Sequence, residues 1–292
     1  MTTTTPAIVC AGEALWDVLP RGEFMGGAPF NVACHLARLG VRARLLARLG
    51  RDPRGERALA LARANGVDVS LVQLDDALAT GEARAVLDAS GSAHYEFLTP
   101  AAWDAIEATP DALAGVAAAD AFVHGTLGGR DARSRGAIAR LAAAARWRAF
   151  DPNLRPPYYS RELVEAGLQG AHFVKVNEDE CALLAGWYGV PPTPAALQPE
   201  LARRFGVGAL CVTLGPEGAQ LHWQGQWHVQ AGVPTEVADT VGAGDSFLAM
   251  LLRGLLSGTA PDVALLRAAR LASFVASRPG AVPDYDAARF RI

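Results

Sequence analysis

The stretch DTVGAGDSFLAMLLRGLLSG, residues 239–258, sets three small residues and two acids immediately ahead of a strongly apolar run. Apolar side chains recur at Phe247, Leu248, Leu251, Leu252, Leu255 and Leu256, a spacing that stacks them along one helical face. A helix opening at Gly242, Ala243 and Gly244 begins with backbone N–H groups that have no partner inside the helix, and its dipole favours negative charge there. Small residues let a phosphate approach that backbone closely, with no need of a lysine. Asp245 stands in the first turn. Its structural reading is compensation of the helix dipole. Its functional reading is a general base beside an anion-stabilising pocket, taking the proton of a hydroxyl that attacks a phosphoryl group.

Other oxygen-bearing residues stand where strands end. VKVNEDE places Asn177 and Glu180 three apart, which suits either a capped helix start or a site for a hard cation that keeps several waters. VTLGPEG gives Thr213, Gly215 and Gly218 in a strand-to-turn setting, with Pro216 at a position turns favour. Near the N-terminus, Asp17, Gly26, Gly27 and Asn31 combine a carboxylate, an amide and close backbone, the donor and acceptor set a polyol needs. Taken singly, Asp17 is a turn acid and Asn31 a helix-surface amide. FDPNLRPPYYS adds Asn153 and Arg155; the arginine suits sugar oxygens or a phosphate, or is a surface residue of a Pro-rich connection.

Two of these stretches, DTVGAGDSF near the end and GGAPFNVACHLARLG near the start, resemble the C-terminal and N-terminal motifs of the ribokinase, or PfkB, family of sugar kinases. They occur in that family's order and span nearly the whole chain. The resemblance implies that Asp245 is the catalytic base and that Gly242, Ala243 and Gly244 form the anion hole. It implies ATP with Mg²⁺ as cofactors, Asn177 and Glu180 in the Mg²⁺ and phosphate environment, and Thr213 and Gly215, with the neighbouring Gly218, near the nucleotide phosphates. Asp239 and Thr240, with the tail ASRPGAVPDY, correspond to a loop that binds K⁺ in relatives. Asp17, Gly26, Gly27 and Asn31 match the sugar-binding positions, and Asp151, Asn153 and Arg155 resemble bacterial and plant fructokinases. Fructose is therefore the expected substrate, with 2-keto-3-deoxygluconate, ribose, another ketose or a nucleoside as alternatives. Relatives often pair their lid sheets, which implies a homodimer through the lid. Two departures stand out: only residues 18–25 separate Asp17 from Gly26, and Phe30 occupies a place where a small residue is usual. A regulatory protein that binds sugar and nucleotide without turnover is the non-enzyme alternative.

The elements that must position these residues alternate between strand and helix. AIVCAGEALWDVL begins as a strand, APFNVACHLARLG reads as a helix with Pro29 near its start, and VRARLLARLG returns to strand alternation. DPRGERALALARANG follows as a helix with Asp52 at the N-cap, Pro53 at the first position, Glu56 for a capping box and Gly66 as its stop. Such alternation predicts an α/β sheet with helices on both faces. EARAVLDASGSAHYEFLTP breaks the pattern with two extended runs around DASGS, which suits a hairpin. The expected fold is thus a three-layer α/β/α domain over 1–292 with a central, mostly parallel sheet. A small β lid is expected from 13–25 and 80–101.

Composition narrows the partners. The 292 residues carry a formal charge of −3, so no global positive field attracts nucleic acid or an anionic membrane. No stretch reaches roughly 18 uninterrupted apolar residues, so no membrane span is expected. The N-terminus lacks a basic segment followed by an apolar core, and Cys10, Cys34, Cys181 and Cys211 lack metal spacing, so a reduced, cytoplasmic protein is expected. Lys175 is the only lysine, and no Walker loop or protein-kinase strand motif forms around it. A Rossmann oxidoreductase needs a Gly-rich first turn, which AGEALWD does not supply. Of the six histidines only His124 is placed near the ligand crevice, as a structural residue, and the six tryptophans are expected in the core or the lid.

Overall fold

A computed structural model describes residues 5–19, 22–87 and 93–290. The chain opens with β1 (Ala7–Ala11), β2 (Leu15–Leu19), β3 (Gly22–Gly26), α1 (Ala28–Arg38), β4 (Arg42–Leu46), β5 (Arg48–Gly50) and α2 (Pro53–Ala64). Next come β6 (Gln73–Asp75), β7 (Gly81–Leu87), β8 (Ala93–Phe97), α3 (Pro110–Ala117), β9 (Ala121–His124) and α4 (Ala132–Ala144). They lead to β10 (Arg148–Phe150), α5 (Arg161–Leu168), β11 (Phe173–Asn177), α6 (Glu178–Tyr188) and α7 (Pro194–Phe205). The last are β12 (Ala209–Thr213), β13 (Gly218–Trp223), β14 (Gln226–Ala231), α8 (Ala243–Leu256) and α9 (Pro261–Ala276).

Short, almost wholly apolar strands such as AIVCA, AFVH and ALCVT are suited to parallel sheets covered on both faces. They occupy the middle of an eight-stranded sheet in the order β14-β13-β12-β11-β10-β9-β1-β4. The pairs from β4 through β12 are parallel, and β13 and β14 close one edge antiparallel. Strand alternation sends Ile8, Cys10, Val123, Ala149, Phe173 and Cys211 to one face, where they form a core with α1, α8 and α9. Val9 and Phe122 point the other way, toward Trp103 and Leu141, while Phe150, Val174, Val176 and Leu210 meet the α5–α7 side. This is the three-layer α/β/α arrangement expected of the sequence.

A separate four-stranded sheet runs β3-β2-β7-β8, with β2 and β7 parallel and the outer pairs antiparallel. The DASGS turn between β7 and β8 lies outside the described residues. No helix among the described residues is long and apolar enough to cross a membrane.

Three local expectations are corrected. Asp52 caps α2 by accepting from Gly55 N at 2.7 Å, so the third helical position is Gly55 and Glu56 stands one residue too late for a capping box. The second Asp52 oxygen accepts from Thr80 N instead, also at 2.7 Å, and ties the helix start to the entry of the small sheet. VRARLLARLG is not one strand: β4 joins the large sheet and β5 pairs with β6. Trp227 on β14 is well exposed, because the outermost strand has one uncovered face.

Trp103 anchors the small sheet to the domain. It is fully buried, with the Arg130 guanidinium 4.4 Å above its ring and Phe97 edge-on at 6.5 Å. A Cβ at Gly81 would come within 1.7 Å of the Trp103 ring, so the first residue of β7 must be glycine for the indole to fit. Trp103→Ala is expected to lower stability by ~3–5 kcal/mol, measured by urea denaturation. A loss below ~1 kcal/mol would show that the indole is not the anchor.

Candidate active site

Parallel register brings the C-terminal ends of several strands to one edge, where an open α/β sheet leaves its crevice. Asn177 lies opposite Thr213, and Phe150 opposite His124, so Asp151, Asn177 and Thr213 all emerge there. The start of α8 faces the same edge. Its N-cap is Gly242 at φ 76°, and a Cβ there would lie 2.4 Å from the Ala281 carbonyl. Only glycine allows the C-terminal segment to close over the helix mouth in this conformation. Ala243 N donates to Thr240 O at 3.3 Å, so this donor is already engaged, contrary to the expectation that all the opening amides are free. Gly244 N and Asp245 N meet no backbone acceptor among the described residues, and these are the donors the turn presents.

Asp245 is only 8% exposed, and its Oδ2 accepts from Asn31 Nδ2 at 2.8 Å. Asn31 comes from α1, which packs on α8, so both family-like motifs meet in one hydrogen bond. Burial pushes the Asp245 carboxyl up to about 6, against the Asn31 hydrogen bond and the Lys175 charge that favour ionisation. Asn31 Oδ1 is buried without a partner.

On the side of the small sheet, a Cβ at Gly26 would meet Asp17 Oδ2 at 2.5 Å, and one at Gly27, at φ 101°, would meet Glu13 O at 2.6 Å. The two glycines are therefore what lets the carboxylate and the β1–β2 connection close on α1. Burial raises Asp17 to about 6, opposed by the Arg155 charge. Arg155 also acts on Glu13 and Asp245, so its guanidinium serves all three acids while its Nη1 donates to Leu154 O at 3.0 Å. Asn153 holds the loop in a left-handed conformation at φ 44°. Phe30 is buried in the α1-side core with Trp16.

Asn177 and Glu180 form a reciprocal capping box: Asn177 Oδ1 accepts from Glu180 N at 2.8 Å, and Glu180 Oε2 from Asn177 N at 2.9 Å. Glu180 Oε1 accepts from Leu154 N at 2.8 Å, which ties α6 to the Asn153–Arg155 loop. Thr213 is half-buried at the end of β12, and Gly215 follows at φ 54°. Gly218 at φ 108° is required by close packing, since a Cβ would sit 1.9 Å from Gln230 O. Asp239 accepts from Val241 N at 3.1 Å and Gly280 N at 3.3 Å, which joins the loop before α8 to the tail. His124 is buried between the Phe122 and Phe150 rings, and burial lowers its pKa to about 4, as a neutral structural residue requires. No group of three or more His, Cys, Asp or Glu among the described residues is placed to chelate a metal directly.

Two residues at this edge were not assigned a role from sequence. Glu13, just after β1, accepts from Ala28 N at 3.2 Å, keeps Oε2 buried without a partner, and is raised to about 7 by burial. Lys175 lies inside β11, bonded to Asp151 Oδ2 at 2.8 Å. The available signal was an ionisable residue within an apolar strand, two positions from Asn177 and hence on its face.

Comparison with known proteins supplies the family. The model of the pfkB family carbohydrate kinases matches residues 13–288. Fructokinase of Klebsiella pneumoniae is 32% identical over 277 residues, 87% of this chain and 88% of that protein. Fructokinase of Escherichia coli is 30% identical over 266 residues, covering 84% and 83%. Among solved structures, fructokinase with bound ATP from Xylella fastidiosa superposes with a TM-score of 0.85 at 24% identity, covering 97% of both chains. A helix mouth with open amides, a buried acid in its first turn and a match along almost the whole length lead to one assignment: this chain belongs to the pfkB family of carbohydrate kinases and is a sugar phosphotransferase.

Proposed function

We propose that the protein is an ATP-dependent fructokinase in which Asp245 is the catalytic base. The observation that carries this reading is the buried Asp245 carboxylate, held by Asn31 beside the open Gly244 and Asp245 amides. Fructokinases at 30–32% identity support the sugar. The sugar hydroxymethyl group lies under the small sheet, which acts as a lid, with Asp17, Gly26, Gly27, Asn31, Asn153 and Arg155 lining its site. Asp245 takes the hydroxyl proton as the new O–P bond forms. The bond from the γ-phosphorus to its bridging oxygen breaks, and that electron pair leaves with ADP. The α8 amides hold the negative charge on the migrating group, so positioning and charge stabilisation supply the rate. Lid closure excludes water and limits wasteful ATP hydrolysis.

Both Glu180 oxygens already accept a backbone N–H, and no chelating cluster is present among the described residues, so the site fits a Mg²⁺ that keeps its waters better than one directly caged. Glu180 would hold it through water, and when bound the ion would neutralise phosphate charge. Asn177, Thr213 and Gly215 face the nucleotide phosphates in this reading, with Gly218 shaping the turn behind them, and Asp239 belongs to a K⁺ loop.

A second substrate reading rests on aminoimidazole riboside kinase of Salmonella typhimurium, 29% identical over 270 residues. ADP release measured across fructose, other ketoses, ribose, 2-keto-3-deoxygluconate and nucleosides, with and without K⁺, separates the two. Fructose is expected to give the highest kcat/KM, by at least about tenfold, the scale on which one pocket contact discriminates. A nucleoside in that place would replace the fructose reading, and no ATP consumption with any acceptor would favour the regulatory alternative.

A further inference from the structure

Lys175 is the only lysine among 27 basic residues, and its side chain is 7% exposed. A fully buried ammonium is costly unless paired, and this one is paired with Asp151, whose side chain is equally buried. The pair lies under the active turn. A Cβ added to Gly244 would lie 3.1 Å from Lys175 Nζ, so the ammonium sits close beside the second residue of α8, which carries one of the two free amides. Sheet alternation sends Lys175 to the same face as Phe173 and Asn177, the face that α8 covers. Asp151 keeps Oδ1 buried without a partner, so the pair is not a saturated structural network.

We propose that Lys175 is a positioning residue for phosphoryl transfer: an ammonium locked by Asp151 beneath Gly244 that adds positive potential to the turn bearing the anion hole and Asp245. The inference rests on the reading of Asp245 as the base. Burial works against the ammonium, but the Asp151, Glu180 and Asp245 carboxylates outweigh it and raise the Lys175 pKa above the ordinary lysine value, so the charge persists throughout the working pH range. Several other groups act on Asp245. Asn31 from α1 and Arg155 from the loop after β10 favour its ionised form, as Lys175 does. Asp151 opposes it. Cys10 on β1 and Glu13 just after it lie near enough to interact, the thiol held neutral by burial and Glu13 shifted to about 7.

The test is the pH profile of kcat and kcat/KM for wild type, Lys175→Met and the paired Lys175→Met/Asp151→Asn, which leaves no buried carboxylate without its cation. Folding is checked by circular dichroism and thermal melting. Lys175→Met is expected to lower kcat about 10- to 100-fold, less than the ~10²–10³ of a direct anion-hole donor. Its sugar KM should change less than about threefold, as expected when an interaction acts in the transition state. The acid limb should move up by about one pH unit, because a cation favouring the Asp245 carboxylate is gone. In the paired variant the limb should return toward the wild-type position, since Asp151 acts on Asp245 in the opposite sense, while kcat stays low.

Wild-type kcat and an unmoved limb in a folded Lys175→Met overturn the inference, as does wild-type kcat in the paired variant. Failure of both variants to fold also counts against it, because a purely structural ion pair predicts that result. Asp245→Asn run alongside keeps the two claims separate. An inactive Asp245→Asn beside an unaltered Lys175→Met removes only the role of Lys175, whereas an active Asp245→Asn removes the base reading itself.

Discussion

Asp245→Asn is expected to fold and to retain ATP and sugar binding while kcat falls by about 10²–10⁴-fold, the usual contribution of a well-placed general base. Size and shape are kept, so Asn31 Nδ2 still meets an oxygen at position 245 and the α1–α8 contact survives. What is lost is proton acceptance together with the carboxylate's negative charge. The wild-type acid limb follows from the same group. Burial raises the Asp245 carboxyl to about 6, so below that pH the folded protein holds the carboxyl protonated and the base is missing. On this account kcat, which reports the sugar-bound enzyme, falls as pH drops through about 6, and Asp245→Asn loses that step while its kcat/KM keeps the share that Asp17, also raised to about 6, contributes to sugar binding. Steady-state kinetics between pH 5 and 8, roughly the range over which this carboxyl changes state, provide the check. Undiminished turnover in the asparagine variant would remove Asp245 from the chemistry.

Gly242→Ala is expected to be the other severe change, through backbone geometry rather than a lost functional group. Gly242 occupies φ 76°, where an L-residue is strained by roughly 1–3 kcal/mol. Its new Cβ would also lie 2.4 Å from Ala281 O and 2.6 Å from Ala281 Cα. Backbone cannot yield as a side chain can, so either the 281 segment or the α8 mouth must shift. A displaced mouth re-aims the Gly244 and Asp245 amides, and misplacing an anion-hole donor costs about 10²–10³ in kcat. The expected outcome is a folded protein with a lower melting temperature, a kcat reduced by that order, and a much smaller change in sugar KM. Full kcat in Gly242→Ala would show that the 281 segment yields and the amides keep their aim, and would overturn the expected loss.

What could be read from the chain alone was mostly local. Near-continuous apolar strands, Asp52 and Pro53 before α2, and the apolar stripe after Gly244 each announce an element within one window of sequence. Short-range signals miss partners that lie far along the chain. The capping box at Glu56 fails on local spacing, since Gly55 holds the third helical position, but nothing near residue 52 announces that Asp52 also binds Thr80, 28 residues away. VRARLLARLG alternates evenly, yet its two halves join different sheets. Asn177 and Glu180 show a different limit, because the capping reading holds geometrically and does not exclude the chemical one.

By itself the sequence determined the α/β class and the residues at the helix mouth, Gly242 to Asp245, because helix starts and glycine-dependent turns depend on interactions within a few residues. Only the tertiary structure decided that Asn31 grips Asp245 from 214 positions away, that Ala281 closes on Gly242, and that the sole lysine lies beneath Gly244 with Asp151. The physical reason is that strand order and two-sided burial choose which distant polar groups become neighbours. Removal from water then determines how strongly those neighbours act on one another.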